Sequence, residues 1–168
     1  MKAKTHNVFS ISVLTAVGSF FINPIASLIS AGILAVACNT IIDDFGHRTN
    51  KYGIPVRTYR THSFLRGTIY GLLPAVVMFS VISYLFIISY LPKNEFLASR
   101  FPYWILLQGL LAGPLHLLLD SPMEGGIFIK QNGRFQRYAL AHLRYNDMFW
   151  NGFFQLAGVV MLILTFYH

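Results

Sequence analysis

His116 and Asp120 stand four residues apart in Leu115-His116-Leu117-Leu118-Leu119-Asp120, an otherwise apolar run. In a helix this spacing puts an imidazole and a carboxylate on one face, about one turn apart. Such a pair has two uses: it can satisfy itself by a hydrogen bond in a bundle core, or it can share or bridge divalent metal ions. Burying ionisable groups costs roughly several kcal/mol unless they are partnered. The chain supplies partners sparingly, with six carboxylates and six histidines in 168 residues.

The remaining ionisable residues border apolar runs. Asp43 and Asp44 close one run as Asp120 closes another, and at a helix C-terminus the dipole disfavours an anion by about 0.3–1 kcal/mol, so a cation belongs nearby. His6 and His62 instead open runs, where the dipole disfavours imidazolium and favours the neutral ring that ligates metals. A dication held by carboxylate oxygen and imidazole nitrogen meets both conditions, whereas Arg60 or Arg66 meets only the first. Within Arg60-Thr61-His62-Ser63, Thr61 or Ser63 can cap the next helix, and Arg60 presents a fork of donors to phosphate or carboxylate. Without a ligand the tetrapeptide is a capped helix behind an interfacial arginine. His47 and His142 lie in basic polar segments, where exposure is the usual state. Glu124 follows Asp120 by four residues, but Pro122 interrupts the helix and leaves its direction open.

These residues need a scaffold, and its class follows from composition. The chain is 55% hydrophobic and 11% charged, with positive mean hydropathy, which excludes an ordinary soluble domain and predicts one integral membrane domain over 1–168. A lone Cys38 excludes an internal disulfide. Ala35-Val36-Ala37-Cys38 looks like a lipoprotein cleavage site, but it lies too deep for a signal peptide and no polar domain follows.

The predicted fold is all-α, a polytopic membrane helical bundle of about five transmembrane helices. His6 to Ile42 is too long for one span of about 20 residues. Asn23-Pro24 splits it into spans over 7–22 and 25–42, with Pro24 starting the second helix. Further spans cover 63–91, kinked at Pro74 and stopped by Pro92-Lys93-Asn94-Glu95, then 103–119 and 149–167. A polar loop occupies 43–61. In a second polar segment reaching Asp147, Asn132-Gly133 predicts a short β-hairpin near 128–137, followed by an amphipathic interfacial helix over 138–145.

Counting spans brings His6, Asp43, Asp44, His47, His62, His116, Asp120, Glu124, His142 and Asp147 to one membrane face. Eleven of the thirteen Lys and Arg residues fall on that side, leaving Lys93 and Arg100 opposite. The positive-inside rule then makes the N-terminus and polar site cytoplasmic and puts the C-terminus, with His168, on the other side. So placed, the net charge of +7 suits anionic membrane lipid headgroups, and no nucleic-acid partner is expected.

Thr5-His6, Ile42-Asp43 with Gly46-His47, Arg60-Thr61-His62-Ser63, and His116-x-x-x-Asp120-Ser121-x-x-Glu124-x-Gly126-Ile127 occur in that order. The series resembles YdjM-like membrane-bound metal-dependent hydrolases, nearest to archaeal and archaeal-virus relatives of undetermined function. The likeness runs from His6 to about Asn151. It implies a small multi-span protein with a metal site whose candidate ligands are His6, Asp43, His62, His116 and Asp120. More distantly, the order Asp, His, His-x-x-x-Asp is similar to the zinc-dependent phospholipase C and P1 nuclease group, all-helical hydrolases of phosphoesters. That group has a further His-x-x-x-Glu pair. Here His142 is followed at that spacing by Asn146 and then Asp147, a departure that counts against a full three-metal site.

The leading expectation is therefore a metal-dependent hydrolase at the cytoplasmic membrane face, acting on a phosphoester such as a lipid headgroup. One or two divalent ions, Zn²⁺ foremost, would polarise the ester, with Asp43 or Asp44 orienting water or acting as base and Arg60 stabilising phosphoryl oxygens. Spacing leaves open which carboxylate is ligand and which is base. The alternative is a non-catalytic scaffold or membrane-remodelling protein whose polar cluster ties helix ends together. A transporter fits less well, because the ionisable residues gather at one face rather than at the midplane. No Walker-type loop or nucleophile elbow is present.

Overall fold

The computed structural model of the chain describes residues 1–53, 55–88 and 100–167. The expected end of the third span at 89–91, the Pro92-Lys93-Asn94-Glu95 stop and His168 lie outside the described residues. Helices α1 (Ala3–Gly18), α2 (Pro24–Gly46), α3 (Phe64–Ile88), α4 (Phe101–Asp120) and α5 (Met148–Tyr167) form the all-α bundle, joined by two small antiparallel hairpins. The first hairpin pairs β1 (His47–Thr49) with β2 (Pro55–Arg57), and the second pairs β3 (Ile127–Gln131) with β4 (Arg134–Tyr138). Helices α2 to α5 are each long and apolar enough to cross a membrane. At 16 residues, α1 is the short member, packed against α2 and α5.

The turn between α1 and α2 forms as Asn23-Pro24 predicts. Asn23 accepts hydrogen bonds from the backbone N–H of Ile25 at 2.9 Å and Ala26 at 3.4 Å, while Pro24 occupies a first-turn position that needs no donor. Beyond Ile42, α2 continues for another turn to Gly46, so Asp43 and Asp44 are helical. Between α3 and α4 the contact is backbone on backbone. A side chain on Gly113 would overlap the Gly67 carbonyl, and one on Gly71 would overlap that of Gly109. Small residues at such a seam let two spans approach closely, which is how helices associate where lipid offers no hydrophobic drive.

In the 43–61 segment, read from sequence as a loop, β1 and β2 pair in the register His47↔Arg57, with Gly53 at φ 76° in the turn. The second hairpin matches the sequence reading and is one residue longer at each end. Asn132 at φ 50° and Gly133 at φ 79° make the left-handed two-residue turn. The helix expected over 138–145 is absent. Tyr138 ends β4, and the chain then follows an irregular path of bends and turns to the start of α5. Leu140 N–H donates to the Ser121 carbonyl at 2.8 Å, and Glu124 N–H donates to that of Leu143 at 2.7 Å. The 121–124 turn thus takes the hydrogen bonds that a helix would have made internally, and His142 adopts φ 52°, which a helix interior does not accept.

Candidate metal centre

Three segments converge at one end of the bundle. Asp43 comes from the last turn of α2, His62 from the strap before α3, and His116 and Asp120 from the final turns of α4. His116 Nε2 lies 3.3 Å from Asp120 Oδ2 and 3.6 Å from Asp43 Oδ1. His62 Nε2 lies 3.6 Å and 3.9 Å from the same two oxygens. His62 Nε2, His116 Nε2 and Asp120 Oδ2 are buried and make no hydrogen bond. Orphaned buried polar atoms are rare because each forfeits its hydration, and two imidazole nitrogens gathered about one carboxylate oxygen could hold a cation. Donors held about 2.0–2.2 Å from a tetrahedral ion stand roughly 3.3–3.6 Å apart, close to these spacings.

The atoms behind the centre decide which nitrogen faces it. Thr61 Oγ1 donates to the Ile42 carbonyl at 2.8 Å, leaving a lone pair to accept Nδ1–H of His62 at 2.9 Å. His116 Nδ1–H donates to Asn39 Oδ1 at 3.0 Å, and Asn39 Nδ2 donates onward to Asn7 Oδ1 at 2.8 Å. Both rings therefore carry their Nε2 lone pair toward the carboxylates. Burial, the largest influence on His62, pushes its pKa down to about 2 and keeps the ring neutral.

Asp120 is divided between two roles. Its Oδ1 accepts from the Met1 α-amino group at 2.9 Å, His6 Nε2 at 3.0 Å and Arg57 at 2.6 Å. Its Oδ2 faces the two imidazoles. The His6 ring stacks on His116 with centroids 4.0 Å apart, and Thr5 of the same turn donates to Asn151 Oδ1 at 2.7 Å, tying α1 to the start of α5. His47 Nδ1–H donates to the Asp43 carbonyl at 2.7 Å and lies 3.8 Å from Asp43 Oδ1. Two triads able to hold a cation, His6-His116-Asp120 and Asp43-His47-His62, thus abut. His62, His116 and Asp120 are fully buried, while the Asp43 side chain is 31% exposed, so the centre opens to its surroundings beside Asp43.

Of the residues read from sequence, Asp43, His62, His116 and Asp120 meet directly, and His6 meets them through Asp120 Oδ1. Asp44 and Arg60 do not join them; both are exposed. Neighbours on a helix point about 100° apart, so only one of Asp43 and Asp44 faces inward. The arginine in the cluster is Arg57, brought there by its pairing opposite His47. Glu124 and His142 are exposed, and Asp147 caps α5 by accepting from Trp150 N–H at 3.2 Å. Sequence reading missed Arg57, Asn39 and the Met1 amino group, and it underrated His47. Asn39, Asp43 and His47 are spaced by four, a helical stripe that signals two of these.

A family described as "Protein of unknown function (DUF1286)" matches residues 1–119, and the chain belongs to it. No curated protein and no solved structure matches.

Proposed function

We propose that this DUF1286 protein is a membrane-bound metal-dependent hydrolase of phosphoesters, with His62, His116 and Asp120 holding one divalent ion. The observation that carries the reading is the convergence of the three buried atoms without hydrogen bonds, His62 Nε2, His116 Nε2 and Asp120 Oδ2. Two imidazoles and a carboxylate suit Zn²⁺, and three protein ligands with one open side are the pattern of a catalytic rather than a structural zinc site. Such an ion would polarise an ester oxygen and acidify water.

The protein's own groups have separate tasks. Asp43, partly exposed at the open side, orients water and accepts its proton. Arg57, the Met1 amine and His6 occupy Asp120 Oδ1 and so aim Oδ2; Arg57 acts as a positioning residue. The phosphoester class draws on the net charge of +7 and on the likeness to phospholipase C and P1 nuclease. The excess of Lys and Arg on the side of the centre supports a cytoplasmic orientation.

The test is elemental mass spectrometry of the detergent-purified chain beside the H116A/D120A variant, with circular dichroism to verify folding. About one zinc per chain is expected, as from one site of this kind, lost in a variant that stays helical, together with hydrolysis of a chromogenic phosphodiester. A folded wild type that stays metal-free after reconstitution would overturn the reading and leave the cluster as an ion-pair network in a scaffold.

A further inference from the structure

A second feature lies on the face that α3 shares with α2. Arg66, Tyr70, Leu73, Val77 and Val81 follow one another at spacings of three or four, so they form one stripe of α3. At its head Arg60, Arg66, Ile69 and Tyr70 line a hollow of about 390 Å³. One turn further, Leu73, Val77 and Val81 face Ile33 and Ile41 of α2 across an apolar groove of about 670 Å³. Along the stripe Tyr70 comes between the two; it lines the hollow and stacks on Phe45 of α2 with centroids 6.4 Å apart.

The head of this groove is positively charged and preformed. Arg66 is the single charged residue of α3. Its guanidinium lies 4.9 Å from the Tyr59 ring centroid and 5.0 Å from that of Phe135, and those two rings stack on each other at 4.8 Å. This aromatic floor fixes the donor fork without neutralising it. Arg60 is exposed and has no carboxylate within ion-pair distance among the described residues. The Arg66 fork on its aromatic floor, with Arg60 lining the same hollow, suits a phosphate. From Tyr70 to Val81 the stripe extends about 16 Å along the helix, roughly half of the ~30 Å hydrocarbon core and hence one leaflet deep.

We infer that this face binds an anionic phospholipid, its phosphate on Arg60 and Arg66 and one acyl chain in the α2–α3 groove. The inference does not depend on hydrolysis or on a bound metal. A lipid supplies what both halves require, a charge at the interface and a chain beneath it, and basic pockets beside spanning helices recognise headgroups in this way.

Native mass spectrometry of the full chain in detergent tests it, with dioleoyl-phosphatidylglycerol, dioleoyl-phosphatidylcholine and inorganic phosphate as probes. Wild type should retain phosphatidylglycerol in preference to phosphatidylcholine. R60Q, at an exposed position, and R60Q/R66Q should weaken that adduct by about tenfold or more, the loss of a charge-assisted hydrogen bond. V77W should weaken it by filling the groove. Equal retention of the two lipids, phosphatidylglycerol binding unchanged by R60Q, or unchanged by V77W, would each overturn the inference. So would displacement of the lipid by stoichiometric phosphate, which would make the hollow an anion site alone.

Discussion

Helices α4 and α5 are each 20 residues long and comparably apolar, yet 56% of the best spanning window is buried in α4 and only 11% in α5. The same contrast separates α2, at 44%, from α3, at 11%. Hydropathy does not sort them, since buried α2 is more apolar than exposed α5 and buried α4 is less apolar than it. What sorts them is the residues that an interior must accommodate. Gln108, Gly109, Gly113, His116 and Asp120 of α4 are all buried, while α5 turns Leu156, Ile163 and Leu164 outward. A lipid-facing position asks only for an apolar side chain; an interior one asks for fit and for satisfied polar atoms.

The largest effect should come from breaking the inner seam. Gly113→Leu drives a side chain into the Gly67 carbonyl, where no rotamer relieves the overlap, and should abolish the folded, monodisperse protein on size-exclusion chromatography. Gly152→Leu on α5 meets nothing within 4 Å and should leave the elution profile unchanged. If both variants behave alike, inner and outer helices do not differ as described.

A smaller effect is expected one shell behind the centre. Asn39→Ala removes the acceptor that holds Nδ1–H of His116, and loss of such a partner weakens metal binding by about 10–100-fold. Chelator competition with the purified chain measures it, and wild-type affinity in N39A would remove Asn39 from the site.

The smallest effect concerns pH. Unfolded His62 takes a proton near its ordinary value of 6.5, and the folded ring refuses one until about 2. The unfolded chain therefore binds more protons throughout that window. The contribution of His62 to stability is complete above 6.5 and declines as the pH falls toward 2. Melting of the metal-free chain in detergent should shift downward between about pH 7 and about pH 5, with a shallower slope in H62Q; parallel slopes would remove His62 as the cause.

The comparison also explains what was legible in the sequence. Long apolar runs, Asn23-Pro24 and Asn132-Gly133 act locally, so the helices, their reversal and the second hairpin could be read directly. Span counting put Asp43, His62, His116 and Asp120 at one end because their runs begin or stop there. The rest depends on long-range register. Nothing near Arg57 or Arg60 tells which faces Asp120 until β1 and β2 pair, with His47 opposite Arg57. The amphipathic 138–145 segment carries a helical pattern, but the backbone of the 121–124 turn, distant in sequence, takes its hydrogen bonds. Asn39 is a polar residue in an apolar helix, and its meaning appears only with His116 beside it.

The Asn132-Gly133 turn stands clear of the bundle, with Gln131 to Arg134 exposed and open space where a Gly133 side chain would be. Such a tip accepts spliced peptides with little strain. A short antibody epitope inserted there becomes a flag on the same end of the molecule as the imidazoles, and staining sealed versus permeabilised cells would reveal which compartment that end inhabits.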